Sequence, residues 1–166
     1  SLIEFGAAQL IYEDLINNYP KHPERYRAEL SRADCYLAQA GQNASRLGDA
    51  IAIYQRLVDL PHLPVDLRVE SGFKWGNAEA KMNRSGRAQE VFMLALNRFL
   101  HKSETASGLG ARGRYWLSRM IFKFGELLEE EALYEDARSV YAMIETHGLP
   151  GAALLKNKMR SFSVPR

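Results

Sequence analysis

The chain has one cysteine, Cys35, among 166 residues, so no disulfide can form within it. Its setting, Ala33-Asp34-Cys35-Tyr36-Leu37, reads as a small packing residue on a helix rather than a reactive thiol. Proline is scarce, six residues gathered at a few positions, and no run alternates Val, Ile or Thr with polar residues. The second absence argues against β-strands and leaves helices as the expected element. No apolar stretch approaches the ~20 residues needed to cross a bilayer, so no direct membrane insertion is expected. A net charge of +2 gives no footing for a nucleic-acid partner.

Motifs of reaction chemistry are missing as well. The sequence holds no P-loop, no GxGxxG turn, no GxSxG elbow and no pair of zinc ligands at helical spacing. Four histidines, His22, His62, His101 and His147, each follow a helical segment at a turn. They are expected as solvated turn residues spread along one edge, not as ligands of one ion. Glu129-Glu130-Glu131 cannot share one helix face, so the run reads as a charged flank and not as a paired-carboxylate site. The expectation is a chain that is not an enzyme and takes no metal or cofactor.

What the sequence does have is a repeat. Alanine, an aromatic four residues later and an aliphatic three further on recur as Ala8-Tyr12-Leu15, Ala50-Tyr54-Leu57, Ala88-Phe92-Ala95 and Ala137-Tyr141-Ile144. Offsets of four and three place each trio on one helix face. Three of these segments run into proline, at Pro20, at Pro61 with Pro64, and at Pro150, where a helix must stop. Between them lie helices of a second kind, with stripes Leu30-Ala33-Leu37, Phe73-Gly76-Ala80 and Tyr115-Ser118-Phe122, the last ending at Gly125. Each carries a small residue at mid-helix (Ala33, Gly76, Ser118), where an antiparallel neighbour can come close. The alanine of the following helix (Ala50, Ala88, Ala137) is its expected opposite number. The aromatic residues Tyr12, Tyr54, Trp75, Phe92, Trp116 and Tyr141 are expected in the core.

This alternation resembles the tetratricopeptide repeat family, whose pattern is W-x2-L-G-x2-Y, then A-x3-F, then P. The stretch from Trp75-Gly76-Asn77-Ala78 through Ala88-Gln89-Glu90-Val91-Phe92 carries the likeness best, and 113–125 with 133–150 carries it more loosely. Alanine spacings of 42, 38 and 49 residues exceed the family's usual period of 34. The surplus falls at 42–47, 62–64, 101–110 and 126–133, and the helix bearing Glu129 is expected to overrun its usual end. Such irregular lengths, with the linker Tyr19-Pro20-Lys21-His22-Pro23, resemble divergent bacterial repeats of envelope- and division-associated proteins. The resemblance implies an all-α, α-α superhelix: a TPR-like solenoid of antiparallel helix pairs over 1–166. A lone second helix at 2–19 precedes repeats at 26–60, 65–100 and 110–147, and a terminal helix follows at 151–162. Starting and ending out of phase, the chain is expected to be part of a longer stack.

The family's first helices line a concave groove that holds extended peptides or partner helices. The positions here that lie off the packing stripe are Arg27, Asp34 and Ala38, then Glu70, Asn77 and Lys81, then Arg112, Arg119 and Lys123, with Tyr115 and Phe73 presenting ring edges. From Pro61 to Leu128 eleven Lys/Arg stand against six Asp/Glu, and Arg112, Arg119 and Lys123 share one helix face. That face suits a protein or peptide partner with acidic groups, through charge-assisted hydrogen bonds. Salt bridges to Glu126 and Glu129 are the plain alternative. Of the Lys and Asn set that clamps a C-terminal carboxylate, Asn77 alone has a counterpart here. The expected function is a protein-interaction scaffold. The alternative is a spacer or self-association segment acting through exposed end helices.

Overall fold

The computed structural model describes residues 2–101 and 108–162, and among these every regular element is an α-helix. The helices are α1 (Leu2–Asn18), α2 (Arg25–Gln39), α3 (Ser45–Asp59), α4 (Val65–Lys81), α5 (Ser85–Leu100), α6 (Ala111–Glu130), α7 (Tyr134–Thr146) and α8 (Ala152–Phe162). The chain divides into two compact units, Ser1–Leu63 and Pro64–Arg166. In the first, α2 packs on both α1 and α3; in the second, α4 packs on α5 and α6, α6 on α5 and α7, and α7 on α8. The fold is therefore all-α, with consecutive helices packed on one another, as the hydrophobic periodicity requires. Of the length expected at 101–110, residues 102–107 lie outside the described residues.

The prolines act as the sequence implies. Leu60, just before Pro61, is extended (φ −78°, ψ 104°), and α3 ends at Asp59. The second helix of each pair buries its repeated trio: Ala50, Tyr54 and Leu57, then Ala88 and Phe92, then Ala137, Tyr141 and Ile144 are all fully withdrawn from water. Each aromatic ring removed in this way contributes about 2–3 kcal/mol.

Opposite two of these rings stand glycines. A Cβ added at Gly76 would fall within the Phe92 ring, and one at Gly125 within the Tyr141 ring. The glycine backbone thus lies against the aromatic, because only a bare Cα lets a flat ring lie against the opposing helix. Gly125 sits inside α6, which continues to Glu130 as its acidic run suggested. Ser118, expected at the close approach, is buried and donates its hydroxyl to the Arg114 carbonyl at 3.1 Å.

With that register, the two helix pairs of the second unit are the same object twice. Glycine to ring is sixteen residues in both, Gly76 to Phe92 and Gly125 to Tyr141. Seven residues after each glycine the chain turns through a left-handed residue, Asn83 (φ 57°) and Ala132 (φ 59°). The next amides then close the turn, Arg84 to the Glu79 carbonyl at 3.1 Å and Leu133 to the Leu128 carbonyl at 2.9 Å. The uneven alanine spacing therefore leaves the hairpin itself untouched.

Gly76→Ala and Gly125→Ala are expected to lower stability by about 1–3 kcal/mol from overpacking. Gly86→Ala, on a helix with nothing near its Cβ, should raise stability by up to about 1 kcal/mol. Ala132→Gly relieves a left-handed alanine and should stabilise by about 0.5–1 kcal/mol. Urea denaturation followed by circular dichroism checks all four.

Candidate functional site

Glu70, read from the sequence as an open groove position, is buried on α4 with only 2% of its surface exposed. A buried carboxylate must be paired, and this one takes the Lys74 ammonium at 2.9 Å and the Arg112 guanidinium of α6 at 3.0 Å. Glu70 is thus a fastening between α4 and α6 rather than a groove residue. A second tie stands one turn earlier: the Gly110 amide donates to the Asp66 carboxylate at 2.7 Å, joining the starts of the same two helices.

The basic ladder also changes character. Arg112 is spent on Glu70, and Lys123 lies 3.5 Å from Glu126, the along-helix pair anticipated as the alternative. Glu129, the other expected partner, turns to different groups: it accepts the Tyr141 hydroxyl and meets Lys158 of α8 at 3.0 Å. Burial and that carboxylate hold the Tyr141 phenol well above its usual pKa, so it stays a donor. Glu131 accepts from Ser85 at 2.7 Å and Gln89 at 2.8 Å on α5, and these bonds lower its pKa. The acidic run is a set of fasteners at the end of α6 as well as a charged flank.

Arg119 is an exposed cation on the α4–α6 face. Its guanidinium lies 5.6 Å from the Phe73 ring centre of α4 and 6.0 Å from that of Tyr115, and it donates to the Tyr115 hydroxyl at 3.0 Å. Phe73 and Tyr115 each stand 5.2 Å from the half-buried Trp116, whose ring carries the Lys74 ammonium at 5.7 Å. The Trp116 indole N–H is buried with no acceptor among the described residues. Asn77 is half-buried and Lys81 exposed on α4. The face therefore combines an aromatic floor with Lys74, Lys81, Arg112, Arg119 and Lys123, against the carboxylates of Glu70 and Glu126. It can offer ring surface and guanidinium donors to an incoming carboxylate.

Lys74 and Trp116 were not singled out as surface residues by the sequence pattern. A signal existed: Tyr115 and Trp116 are adjacent and about 100° apart on the helix, so both cannot face the core. The remaining expected groove residues, Arg27 and Asp34, belong to the other unit. Arg27 meets Glu24 at 3.6 Å, and Asp34 accepts the Tyr54 hydroxyl at 2.7 Å, a tie between α2 and α3.

His22, His62 and His101 are exposed turn residues as expected, and His147 is half-buried. His101 and His147 converge edge to face with ring centres 5.4 Å apart, and His62 packs edge-on to Tyr26 at 5.5 Å. Among the described residues no group of three or more His, Cys, Asp or Glu is placed to hold a metal ion. Among them, too, no helix is long and apolar enough to cross a membrane. Cys35 is buried, and desolvation raises its thiol pKa. No family model, no curated protein and no solved structure matches this chain.

Burial, and then the neighbouring His101, lower the pKa of His147 below 6.5. The unfolded chain therefore binds this proton more readily than the folded one. The stabilisation is complete above about pH 6.5 and is lost as the pH falls from there through the folded pKa. Thermal midpoints measured between pH 7.5 and 5 should fall less steeply for His147→Gln than for the parent chain.

Proposed function

We propose that the chain is a protein-interaction module of the tetratricopeptide kind, and that the α4–α6 face binds a peptide segment carrying carboxylates. The observation that carries this reading is Arg119, exposed, with its guanidinium 5.6 Å from the Phe73 ring centre and 6.0 Å from that of Tyr115. A guanidinium held beside aromatic rings and anchored on the Tyr115 hydroxyl has further N–H donors to offer a carboxylate and loses little further freedom on binding. The repeated helix hairpin, with its bare glycine beneath an aromatic, supports the family assignment, and such hairpins serve chiefly as binding scaffolds. Apolar side chains of a peptide would rest on the exposed ring of Tyr115.

Binding to a fluorescent peptide library graded from acidic to basic tests the proposal. Acidic members should bind, with affinity falling as salt is raised. Arg119→Glu and Tyr115→Ala, both at exposed positions, should each weaken binding by about tenfold or more while leaving the unfolding midpoint nearly unchanged. Equal binding of acidic and basic members, or no effect of Arg119→Glu, would remove the assignment of this face.

A second reading, self-association, is favoured by one specific observation. The repeated trio is buried on α3, α5 and α7, whereas on α1 Ala8, Tyr12 and Leu15 are half-buried and Ile11 beside them is exposed.

A further inference from the structure

Helices α4 and α6 run the same way along the binding face. Asp66 meets Gly110, Glu70 meets Arg112 and Phe73 stands by Trp116, in ascending order on both helices. Along this seam the cations fall into two groups. Lys74 and Arg112 share Glu70, and Lys123 has Glu126. Arg119 is bonded to the neutral Tyr115 hydroxyl, and neither it nor Lys81 meets a carboxylate among the described residues. Two positive charges on one face are therefore left unmatched.

Helix geometry sets their separation. Phe73 locates Arg119 on α4, since its ring centre is 5.6 Å from the guanidinium. Lys81 follows Phe73 by eight residues, and it lies on the same side of α4 as Lys74, seven residues before it. At about 1.5 Å per residue, the two unmatched charges are offset by roughly 12 Å along the seam. Side chains on a helix lean alike toward its N-terminus, so the offset of the residues carries over to their tips. Between them stands Asn77, which is neutral. A single carboxylate does not span that offset. In an extended peptide, at about 3.3 Å per residue, it is a step of three or four residues. We infer that the segment bound on this face carries two carboxylates at that spacing, one taken by Arg119 and the other by Lys81. The inference rests on the peptide-binding reading and adds the spacing its ligand must show. The other cations of the face already hold Glu70 or Glu126, so a longer acidic run finds no further unmatched partner.

End-capped fluorescent peptides with two glutamates separated by one to six prolines are the test, because polyproline fixes their distance at about 3.1 Å per residue. Two or three prolines set the glutamates roughly 9–12 Å apart. Measured by fluorescence anisotropy, these should bind about three- to fivefold more tightly than shorter or longer spacers, the scale of one exposed ion pair. The same peptide with one glutamate replaced by glutamine should lose that gain. Lys81→Gln should erase the gain and leave the single-glutamate peptide unaffected, whereas Arg119→Glu should weaken every acidic peptide. Lys81 lies in the last turn of α4, where a cation also suits the helix dipole. Lys81→Arg keeps that charge and should retain the spacing preference. Binding indifferent to spacing, or an optimum that survives Lys81→Gln, overturns the inference and leaves the peptide-binding reading standing. Failure of every acidic peptide to bind overturns both.

Discussion

The contact on which the second unit depends is a flat ring pressed against bare backbone, Phe92 over Gly76 and Tyr141 over Gly125. Two helices separated by side chains on both sides sit roughly 8–10 Å apart. Where one helix presents only a Cα, the other can bring a whole aromatic ring into the gap and remove it from water. The position of that glycine then sets where along the helix the turn must fall. In both pairs a left-handed residue follows seven positions later, and the second helix returns its alanine and ring in the same register. Variation in length is confined to connections that do not bear on this contact, which is why the alanine spacing can be uneven while the hairpin repeats.

Around the apolar contacts runs a second system, in which buried carboxylates tie helices together. Glu29 on α2 takes Arg25 of its own helix and Arg56 of α3. Glu70 on α4 takes Lys74 and, across the interface, Arg112 of α6. Glu79, near the end of α4, accepts the Trp75 indole N–H at 3.1 Å and meets Arg84 of the following turn at 3.4 Å. Each of these three carboxylates is nearly inaccessible, whereas Arg56, Arg84 and Arg112 remain about half exposed. The partners' exposure keeps the Coulombic gain of each pair modest. The larger consequence is positional, since a buried carboxylate deprived of its partners would be costly. Arg112 is thereby tied to Glu70 on the binding face, and Arg119, set beside the Phe73 and Tyr115 rings, becomes that face's distinctive cation.

Much of the fold was legible because helical periodicity is local. Ala-x3-aromatic at four places marks four helix faces whatever surrounds them, and Pro61 and Pro64 mark a break by their own covalent geometry. The candidate face was only partly legible. Arg119 and Lys123 lie off the packing stripe of their helix, and that much follows from angle alone, whereas Tyr115 reads as a member of the stripe and is in fact exposed. Glu70 lies off its stripe too, yet α6 arrives over it and Arg112 covers it. Being off the local stripe means exposure only where no third helix packs on the other side. The same limit concealed Gly125, which reads as a helix end when glycine is taken as punctuation, but acts as the bare surface beneath Tyr141.

The sequence by itself determined that the chain is helical, where each helix shows its apolar seam, and which aromatic ring each seam carries. These follow from the chemistry of residues three and four apart. Tertiary structure alone decided which glycine receives a ring, that His101 meets His147, and that Glu70 is buried. Each of these depends on an element distant in sequence coming to rest on a face that looks the same, read along the chain, whether it is covered or not.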